Sequence, residues 1–543
     1  MLMRRSLFSK FSIAVLLACL TAVLLTVTAP AIGLTWDEPA YIAGADSAAA
    51  WFGLLSRDPL QALSAGGIER YWTVNSEHPP LEKIWSGLVW SLARHLYDDL
   101  TANRLGAILG AAGLVALLYW LVAGAYGKAA GLFAALALLC MPRFFFHAHL
   151  AALDVPAAVG AFAVTFLFWQ TVDRKGWAWG LLWGAAWGLA VAIKLNGVFI
   201  PFSLVIWCLV FRRKRALLLR FLLMGIIAVA VFVLIWPWLY HQTWSRLLVY
   251  MEFHLHHFPI GQWYFGRFTL PPPWNFVLVI LWAVVPLTVL LLSLTGMARA
   301  GRGKKDRGLA WLLILSVLAS ISPFLLGKSL LYDNDRLFMP VYPFLAALAG
   351  IGFGWLLQGL RSLLVRLQRP ALALPLSLLL GLALLLPQSV AMSRQFPHLL
   401  SYYSEGVGGL PGATRLGLET TYWCETYATA LPYLNAHAKP GDTIWIEPWS
   451  YDVLFYYQLH GQLRPDLRIL NPEPALSILG TSAPQPVTGT IYSADWIIFQ
   501  YRQTQYGPAG LKSPLLALLK NKTPVFELSY QGMPLMRLYQ GSR

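Results

Sequence analysis

The fold is decided by the stretch that opens the chain, SIAVLLACLTAVLLTVTAPAIG (residues 12–33), which is followed at once by LTWDEPAY (34–41). The first part is apolar and long enough to cross a bilayer, for which about 20 residues suffice. A signal peptide is the alternative, because Arg4 and Arg5 precede the apolar stretch and Ala29-Pro30-Ala31 ends it. The stretch is about twice as long as the apolar region of a signal peptide, so we expect an uncleaved span.

The composition extends this pattern to the whole chain. Of 543 residues, 57% are hydrophobic and only 12% are charged, which is about half the charged fraction of a soluble domain. The 24 Trp are typical of helix ends at a membrane interface. The net charge of +16 is compatible with nucleic-acid binding, but the basic residues lie in short loops between apolar runs. We therefore expect a membrane protein with no nucleic-acid partner.

The apolar runs predict a polytopic α-helical membrane protein with about eleven transmembrane helices. The expected spans are 12–33, 103–124, 129–146, 150–171, 176–194, 196–211, 217–239, 275–295, 309–327, 337–357 and 371–391. The short runs near 129–211 are alternatively re-entrant or broken helices.

The basic residues indicate the direction of these spans. If the N-terminus is cytoplasmic, the inside segments hold most of the loop cations, as the positive-inside rule requires. These are Arg4, Arg5, Lys10, Lys128, Arg174, Lys175, Arg212, Arg213, Lys214, Arg215, Arg299, Arg302, Lys304, Lys305, Arg307, Arg361, Arg366 and Arg369. The opposite short loops hold few, such as Arg143, Lys328 and Arg336. We expect an inner-membrane protein with segments 35–102, 240–274 and everything after about 393 outside.

After residue 393 the long apolar runs end. Its apolar runs are short and strand-like: 443–447, 496–501 and 533–539. We therefore predict a transmembrane domain, 1–392, with a large first outer loop at 35–102. A small extracytoplasmic α/β domain, 393–543, follows it.

The acidic pair Asp37 and Glu38 directly follows the first span. A carboxylate at a membrane edge is partly desolvated, which raises its pKa and its basicity, so either residue is a candidate catalytic base. The alternative is that the pair caps the next helix, with Pro39 as its first residue.

Two further outer segments carry candidate residues. In HPPLEK (78–83), His78 and Lys83 lie near a predicted helix N-terminus, where a lysine readily binds phosphate; the alternative is a lysine that reaches towards lipid headgroups. Arg143 and Asp154 lie at opposite ends of one short loop and are interpreted as a charge pair, or alternatively as substrate contacts. His147 and His149 lie between them without a third metal ligand nearby, so we expect no metal site there.

A last group precedes the tenth span. Arg336 is a candidate clamp for phosphate or sugar, with an interfacial anchor as the alternative. Lys194, at the end of another span, has the same two interpretations. Tyr332 and His149 are added as candidate substrate contacts.

Nucleotide-driven chemistry is not indicated. No P-loop motif occurs, and the glycines at 406–412 follow no predicted strand that would form a phosphate cradle. A donor outside the membrane must therefore be activated in another way, and a lipid-phosphate sugar is the natural candidate.

Several short motifs in order resemble integral-membrane glycosyltransferases of the GT-C fold. They are the acidic pair at 37–38, His78-Pro79-Pro80-Leu81 with Lys83, the loop from Arg143 to Asp154, Arg336 before Met339-Pro340-Val341-Tyr342-Pro343, and the tail segments 402–409 and 419–423. The chain is most similar to family 39, the protein O-mannosyltransferase type, and to the related bacterial aminoarabinose transferase for lipid A. Unlike the eukaryotic members, it has no room in 240–274 for a lumenal domain, which argues against protein as the acceptor.

The resemblance implies roles for these residues. Asp37 would be the catalytic base, with Glu38 supporting it or contacting the acceptor and Asp154 near the active site. Lys83 and His78 would lie near the donor phosphate, together with Arg143 and Arg336.

The sequence therefore predicts an inverting transferase that moves a sugar from a polyprenyl-phosphate donor to a hydroxyl or phosphate of a lipid, glycan or protein. An oligosaccharide ligase with a diphosphate-linked donor and a multi-pass lipid or solute transporter are the alternatives. We expect no cofactor, although Asp37, Glu38 and Asp154 would suit a divalent cation if they converge.

Overall fold

The computed structural model of the chain describes residues 2–212, 215–300, 307–326, 331–480, 483–505, 514–520 and 522–541. Six of the cations used for orientation, Arg213, Lys214, Arg302, Lys304, Lys305 and Lys328, lie outside the described residues. The predicted direction of the spans stays a prediction.

The chain begins with a long helix and a helical first loop. Helix α1 (Leu2–Thr28) continues into a single 3-10 turn (Ala29–Ala31). Pro30 lies in this turn, where proline can start a helical turn but cannot continue the α1 ladder. The loop contains α2 (Glu38–Arg57), α3 (Pro59–Leu63), α4 (Ala65–Trp72) and α5 (Leu81–Ala93).

The central part of the chain is a set of apolar helices separated by prolines and glycines. They are α6 (Asp99–Tyr126), α7 (Lys128–Leu139), α8 (Pro142–His147), α9 (Asp154–Thr171), α10 (Ala178–Val191), α11 (Ile200–Phe211) and α12 (Ala216–Leu234). Gly127 separates α6 from α7 with a positive φ of 93°, a conformation that favours glycine. Pro142 begins α8, so the predicted span 129–146 is broken into two helices.

The third part contains a hairpin and the remaining apolar helices. Helix α13 (Thr243–Leu255) precedes the hairpin of β1 (Gln262–Tyr264) and β2 (Arg267–Thr269). Next come α14 (Phe276–Val284), α15 (Leu287–Ala300), α16 (Arg307–Ile321), α17 (Val341–Arg366) and α18 (Ala373–Gln395). Helices α14 and α15 meet at an angle of 117°. Pro286 stands at this break, which explains why the predicted span 275–295 is not one straight helix.

All eleven predicted apolar stretches contain helix, but not all of these helices are long. Among the described residues, six are long and apolar enough to cross a membrane, or seven if α14 and α15 form one broken span. The six are Ser9–Ala31, Asp99–Tyr126, Ala216–Leu234, Gly308–Leu326, Val341–Arg366 and Pro370–Gln395. The count of eleven is reached only by including shorter helices such as α7 and α10. The predicted class, a polytopic α-helical membrane protein, is confirmed.

The tail contains a mixed sheet with helices. Its elements are α19 (Gly409–Arg415), α20 (Leu431–His437), β3 (Thr443–Glu447), α21 (Tyr451–Leu459), β4 (Arg468–Asn471), β5 (Val487–Thr488), β6 (Trp496–Gln500), α22 (Pro514–Lys520), β7 (Phe526–Tyr530) and β8 (Met533–Gln540). In the described part of the tail the strand order is β5-β4-β3-β6-β8-β7. Strands β5, β4, β3 and β6 are parallel to one another, whereas β8 is antiparallel to both β6 and β7. The predicted α/β character of the tail is confirmed.

The tail packs closely against the rest of the chain. One core cluster contains Tyr403 and Trp423 of the tail together with Phe144 and Tyr342 of the helices. A second core joins strands β3 and β6 to Leu34, beside the first loop. The predicted boundary at 393 stays a prediction, and the chain on its two sides shares both cores.

Candidate active site

Asp37 lies between the turn that ends α1 and the first residue of α2. Its backbone carbonyl accepts hydrogen bonds from Ala40 and Tyr41, but its side chain makes no capping hydrogen bond. The carboxylate is instead turned to Arg336, with 2.6 Å between Oδ2 and Nη2. The sequence left capping and catalysis open for this residue; in the structure its side chain does not cap α2, and the catalytic role stays a prediction.

Arg336 is the centre of a buried group of charges. Besides Asp37 it contacts Asp333 at 2.6 Å and Asp154 at 3.4 Å. Lys194 pairs with the same Asp154 at 2.5 Å. We call these five residues, Asp37, Asp154, Lys194, Asp333 and Arg336, the central cluster. Three acids around one guanidinium require full pairing, because an uncompensated buried charge costs several kcal/mol, on the order of 3–5.

Asp37 is the accessible acid of the central cluster. Its side chain is 30% exposed, whereas those of Arg336 and Asp154 are 4% and 1% exposed. Burial raises the pKa of Asp37 above its ordinary value, the Arg336 charge opposes this rise, and the Asp333 charge adds to it. A carboxylate with a raised pKa is a stronger base, provided that it is deprotonated at the working pH.

Aromatic rings cover Arg336. The Trp423 ring centroid lies 4.1 Å from the guanidinium carbon, and the Tyr332 ring lies 5.4 Å away. Tyr332 also stacks on His257 at 5.9 Å. Rings at such distances stabilise a cation and hold its plane fixed. The structure thus places Tyr332 beside the central cluster.

Lys83 and His78 lie next to each other in the first loop. The ammonium of Lys83 donates to the backbone carbonyls of Asn75 and His78, at 2.6 and 2.9 Å. Burial lowers the pKa of Lys83 to about 7. Burial also lowers the pKa of His78, and the Lys83 charge lowers it further. A Cβ at Gly44 would lie only 2.7 Å from Cδ of Lys83, so this close approach of α2 requires glycine.

The interpretation of Arg143 and Asp154 as a charge pair is wrong. Arg143 pairs with Asp335 at 2.7 Å and also donates to Asn334, whereas Asp154 pairs with Lys194 and Arg336. The reason is that Arg143 lies on α8 and faces the segment before α17, while Asp154 opens α9 and faces the central cluster. Arg143 thus belongs to a neighbouring buried network and not to the central cluster.

That neighbouring network is built from tyrosines. Tyr342 and Tyr422 donate to Asp335, the latter at 3.2 Å, and His147 contacts the Tyr422 hydroxyl at 3.2 Å. The Arg143 guanidinium also lies 4.8 Å from the Tyr403 ring centroid. Asp335 and Arg336 are consecutive, so the network holds the segment that carries Arg336.

Glu38 is turned away from Asp37. Both of its carboxylate oxygens bind Arg104, each at 2.8 Å, and the two side chains are fully buried. Glu38 also accepts hydrogen bonds from the backbone nitrogens of Thr35 and Ala151. The three acids considered for a divalent cation, Asp37, Glu38 and Asp154, therefore do not converge. Within the described ranges, no three His, Cys, Asp or Glu side chains are grouped to hold a metal ion.

His149 is likewise placed away from the central cluster. Its Nε2 lies 2.8 Å from the Thr28 hydroxyl and its Nδ1 lies 2.7 Å from the Phe145 carbonyl oxygen. Both ring nitrogens are thus occupied within a fully buried site, and a role in substrate contact has no support from this arrangement.

Four residues of the site received no role from the sequence. They are Arg104, Asp333, Trp423 and Arg502, the last of which pairs with Asp333. Arg104 could have been found, because a charged residue inside a predicted span usually has a specific partner. The other three became visible only when loop 331–340 and the tail were placed together.

The comparisons with known proteins agree with this architecture. Residues 77–241 match the family model for dolichyl-phosphate-mannose-protein mannosyltransferase. Among curated protein sequences, no significant match is found.

Solved structures similar to the chain extend over nearly its full length. The crystal structure of ArnT from Cupriavidus metallidurans bound to undecaprenyl phosphate has a TM-score of 0.54 at 17% identity, and covers 96% of this chain and 97% of its own. Its apo form has a TM-score of 0.51 with the same identity and coverage. The oligosaccharyltransferase AglB from Archaeoglobus fulgidus has a TM-score of 0.48 at 11% identity, and covers 90% of this chain and 69% of its own.

The apolar helices, the small α/β tail and the end-to-end likeness to ArnT lead to one conclusion: this chain is a multi-pass membrane protein with the GT-C fold of integral-membrane glycosyltransferases.

Proposed function

We propose that the protein is an inverting glycosyltransferase that takes its sugar from a polyprenyl-phosphate carrier. The observation that carries this proposal is the central cluster: Asp37 is its exposed acid, and the cations Arg336 and Lys194 lie immediately behind it. A base beside buried cations suits a reaction in which a hydroxyl loses a proton while a phosphate leaves with its negative charge.

The similar proteins support a lipid monophosphate as the carrier. The ArnT structure holds undecaprenyl phosphate, and the matching family model is named for dolichyl-phosphate mannose. The matched segment 77–241 contains His78, Lys83, Asp154 and Lys194. Of these, Lys83 and Lys194 supply the cationic side of the proposed donor site, and Asp154 holds Lys194 by an ion pair.

The mechanism follows from the roles of these residues. Asp37 accepts the proton of the acceptor hydroxyl, and the acceptor oxygen forms a bond to the anomeric carbon. The bond from that carbon to the phosphate oxygen breaks on the opposite side, so the configuration inverts. Arg336 and Lys83 stabilise the departing phosphate. Such contacts are worth roughly 3–4 kcal/mol of the barrier each.

The remaining predicted residues act through others. Asp154 holds Lys194 and Arg336 in place by ion pairs. Glu38 fixes the start of α2 through Arg104, and Arg143 fixes the segment before Arg336 through Asp335. We propose positioning roles for Glu38, Asp154 and Arg143, and we assign the proton transfer to Asp37 alone.

We further propose that the site and the tail face the outside of the inner membrane. The support is the distribution of Lys and Arg in the sequence, which favours a cytoplasmic N-terminus. Because α1 then ends outside, Asp37 lies at the outer surface, where a lipid-linked sugar is accessible. The acceptor is a hydroxyl or phosphate group of a lipid, glycan or protein.

The test is transfer from a panel of radiolabelled polyprenyl-phosphate sugars to membrane lipids and proteins. Purified wild type is compared with Asp37→Asn, which should lose about 10²- to 10⁴-fold in rate because it cannot accept the proton. The matched control is Asp466→Asn, which removes a tail aspartate that is 38% exposed and paired with Arg464. This control should keep the wild-type rate.

Three outcomes would contradict the proposal. Transfer only from diphosphate-linked oligosaccharides, included in the same panel, would indicate a ligase. No transfer with any donor, from protein shown to be folded, would favour a transporter. Wild-type activity of Asp37→Asn would remove the base assignment while leaving the enzyme class intact.

A further inference from the structure

Arg502 reaches the central cluster from the tail, just after the carboxyl end of strand β6. Strand β3 is flanked by β4 on one side and by the parallel strand β6 on the other, so the order in which strands are added to the sheet reverses between β3 and β6. Residues that follow the carboxyl ends of these strands meet at this switch point, where open α/β sheets usually bind ligands. Arg502 lies two residues after the end of β6.

This switch point is filled by the chain itself. The Cys424 backbone N–H donates to the Gln500 side chain, and the Gln500 amide donates to Glu425 and Thr426. The Tyr427 hydroxyl donates to the Pro448 carbonyl. The carboxyl edge of the sheet is thereby fastened next to Trp423, which covers Arg336, and Arg502 is directed towards the central cluster.

Arg502 contacts two residues close to the candidate base Asp37, namely Asp333 and Trp36. Its guanidinium pairs with Asp333, which also binds Arg336. The same guanidinium lies 5.2 Å from the ring centroid of Trp36, the residue immediately before Asp37. Its side chain is only 5% exposed. These contacts connect the tail to Asp37 in two ways. One runs through the ion pairs of Asp333 and Arg336, and the other runs through Trp36, which is bonded to Asp37 in the backbone.

With Arg502 the ion-paired charges of the cluster balance. Within the described residues, the ion pairs of the extended cluster join three carboxylates to three cations: Asp37, Asp154 and Asp333 with Lys194, Arg336 and Arg502. Without Arg502, two cations would face three carboxylates. Because a buried unpaired charge is costly, one carboxylate would then take up a proton more easily.

We propose that Arg502 is a positioning residue through which the tail sets the protonation of Asp37, by way of Asp333 and Arg336. The inference rests on the proposed function, in which Asp37 is the catalytic base. It assigns to the tail a role in the chemistry of the membrane-embedded part.

Asp37 is the carboxylate that should respond. The charged and titratable groups that face it are Arg336, Asp333, Asp154, Lys194, Tyr41, Tyr332 and Arg502, and Glu419 faces Arg502 from the tail side. Loss of Arg502 leaves Asp333 with Arg336 as its remaining partner. Asp333 then competes more strongly for Arg336, and its uncompensated charge favours protonated Asp37.

The experiment is the pH profile of kcat/KM for Arg502→Gln in the full-length protein. Its acid limb should move to higher pH by about one unit, because Asp333 then draws Arg336 away from Asp37, and an arginine within a few ångström lowers a carboxylate pKa by about one to three units. Arg502→Lys should restore most of the wild-type profile. Arg537→Gln, which removes an ion pair with Glu527 elsewhere in the same sheet, should leave the profile unchanged. An unshifted acid limb in Arg502→Gln would overturn the inference.

A second variant covers the case in which Arg502→Gln does not fold. Asp333→Asn combined with Arg502→Gln removes one charge of each sign and restores balance, so this pair should fold and return the acid limb towards the wild-type position. An acid limb as high as, or higher than, that expected for the single variant would contradict the charge argument.

Thermal unfolding gives an answer that does not depend on activity. In a double-mutant cycle, Arg502→Gln should lower the unfolding temperature less in the Asp37→Asn background than in wild type, because the unbalanced carboxylate is already gone. Additive changes would overturn the inference even for an inactive protein. Absence of transfer by wild type, with coupling present in the cycle, would instead count against the proposed function alone.

Discussion

At the scale of single residues, burial shifts the pKa values of Lys83 and Asp37 in opposite directions, so that both move towards neutrality. Burial lowers the pKa of Lys83 to about 7 and raises that of Asp37. A lysine titrating near neutrality binds an anion only below that pH, because its positive charge is lost above it. A phosphate held beside Lys83, as the proposed function requires, would therefore bind in a pH-dependent way.

We expect the affinity for a polyprenyl phosphate to fall as the pH rises through about 7, where Lys83 loses its charge. A phosphate gains charge over the same range, so a permanently charged lysine would produce the opposite trend. The measurement is a binding isotherm in detergent at several pH values. Lys83→Met, which keeps Asp37 and His78, should bind weakly and lack most of this dependence. An equal fall in both proteins would assign the effect to another group.

At the scale of elements, Arg104 ties three helices together at the entrance to the first loop. From its place near the start of α6 it donates to the carbonyls of Ala29, Ile32 and Gly33 at the end of α1. Its bidentate pair with Glu38 fixes the first residue of α2. Since Asp37 lies between these contacts, the direction of the candidate base depends on them.

Arg104→Met should destabilise the protein by about 3–5 kcal/mol, because Glu38 is left charged and buried without a partner. The midpoint of thermal unfolding in detergent would report this change. Combining it with Glu38→Gln should recover much of the loss, since no unpaired charge remains. Arg94→Met is the control, because this exposed arginine lies over the Trp90 ring and forms no ion pair with any described residue. Equal destabilisation by Arg104→Met and Arg94→Met would contradict the structural role.

At the scale of the whole molecule, the tail completes the site. Trp423 and Arg502 contact the central cluster from the tail side, and Gly33, just before the first loop, approaches the tail so closely that a Cβ there would lie 2.0 Å from the Glu425 carbonyl oxygen. The Tyr457 hydroxyl accepts a hydrogen bond from the backbone nitrogen of Leu34 at 2.6 Å. These contacts hold the segment that carries Asp37 against the sheet domain.

Tyr457→Phe tests this attachment. It leaves the buried Leu34 N–H without an acceptor and should cost about 1–3 kcal/mol of stability. Tyr451→Phe removes an exposed hydroxyl contact with the Leu476 carbonyl and should change little. Unfolding temperatures and protease sensitivity of the tail would be compared. Identical behaviour of the two variants would mean that the tail is held by other contacts.

The sequence alone was enough to predict the membrane class, the helical stretches and the α/β nature of the tail. These properties follow from local composition and periodicity, because long apolar runs suit a bilayer and short alternating runs suit a sheet. The motif order also singled out Asp37, Lys83, Asp154 and Arg336, because ionisable residues at the ends of apolar runs are costly without a purpose. Pro286 is a sequence signal for a break in the predicted span 275–295, but the angle between α14 and α15 is not encoded locally.

Which charges meet depends on how the whole chain packs. Arg336 and Asp37 are 299 positions apart in the chain, and Arg143 and its true partner Asp335 are 192 apart. Sequence proximity favoured the wrong partner for Arg143, because two residues in one loop need not face each other once the helices pack. Arg502 carries no local signal, and its place near the candidate base Asp37 arises because it follows strand β6 of the tail sheet. Pairing of buried charges depends on distances of a few ångström, and such distances are set by the packing of the whole chain.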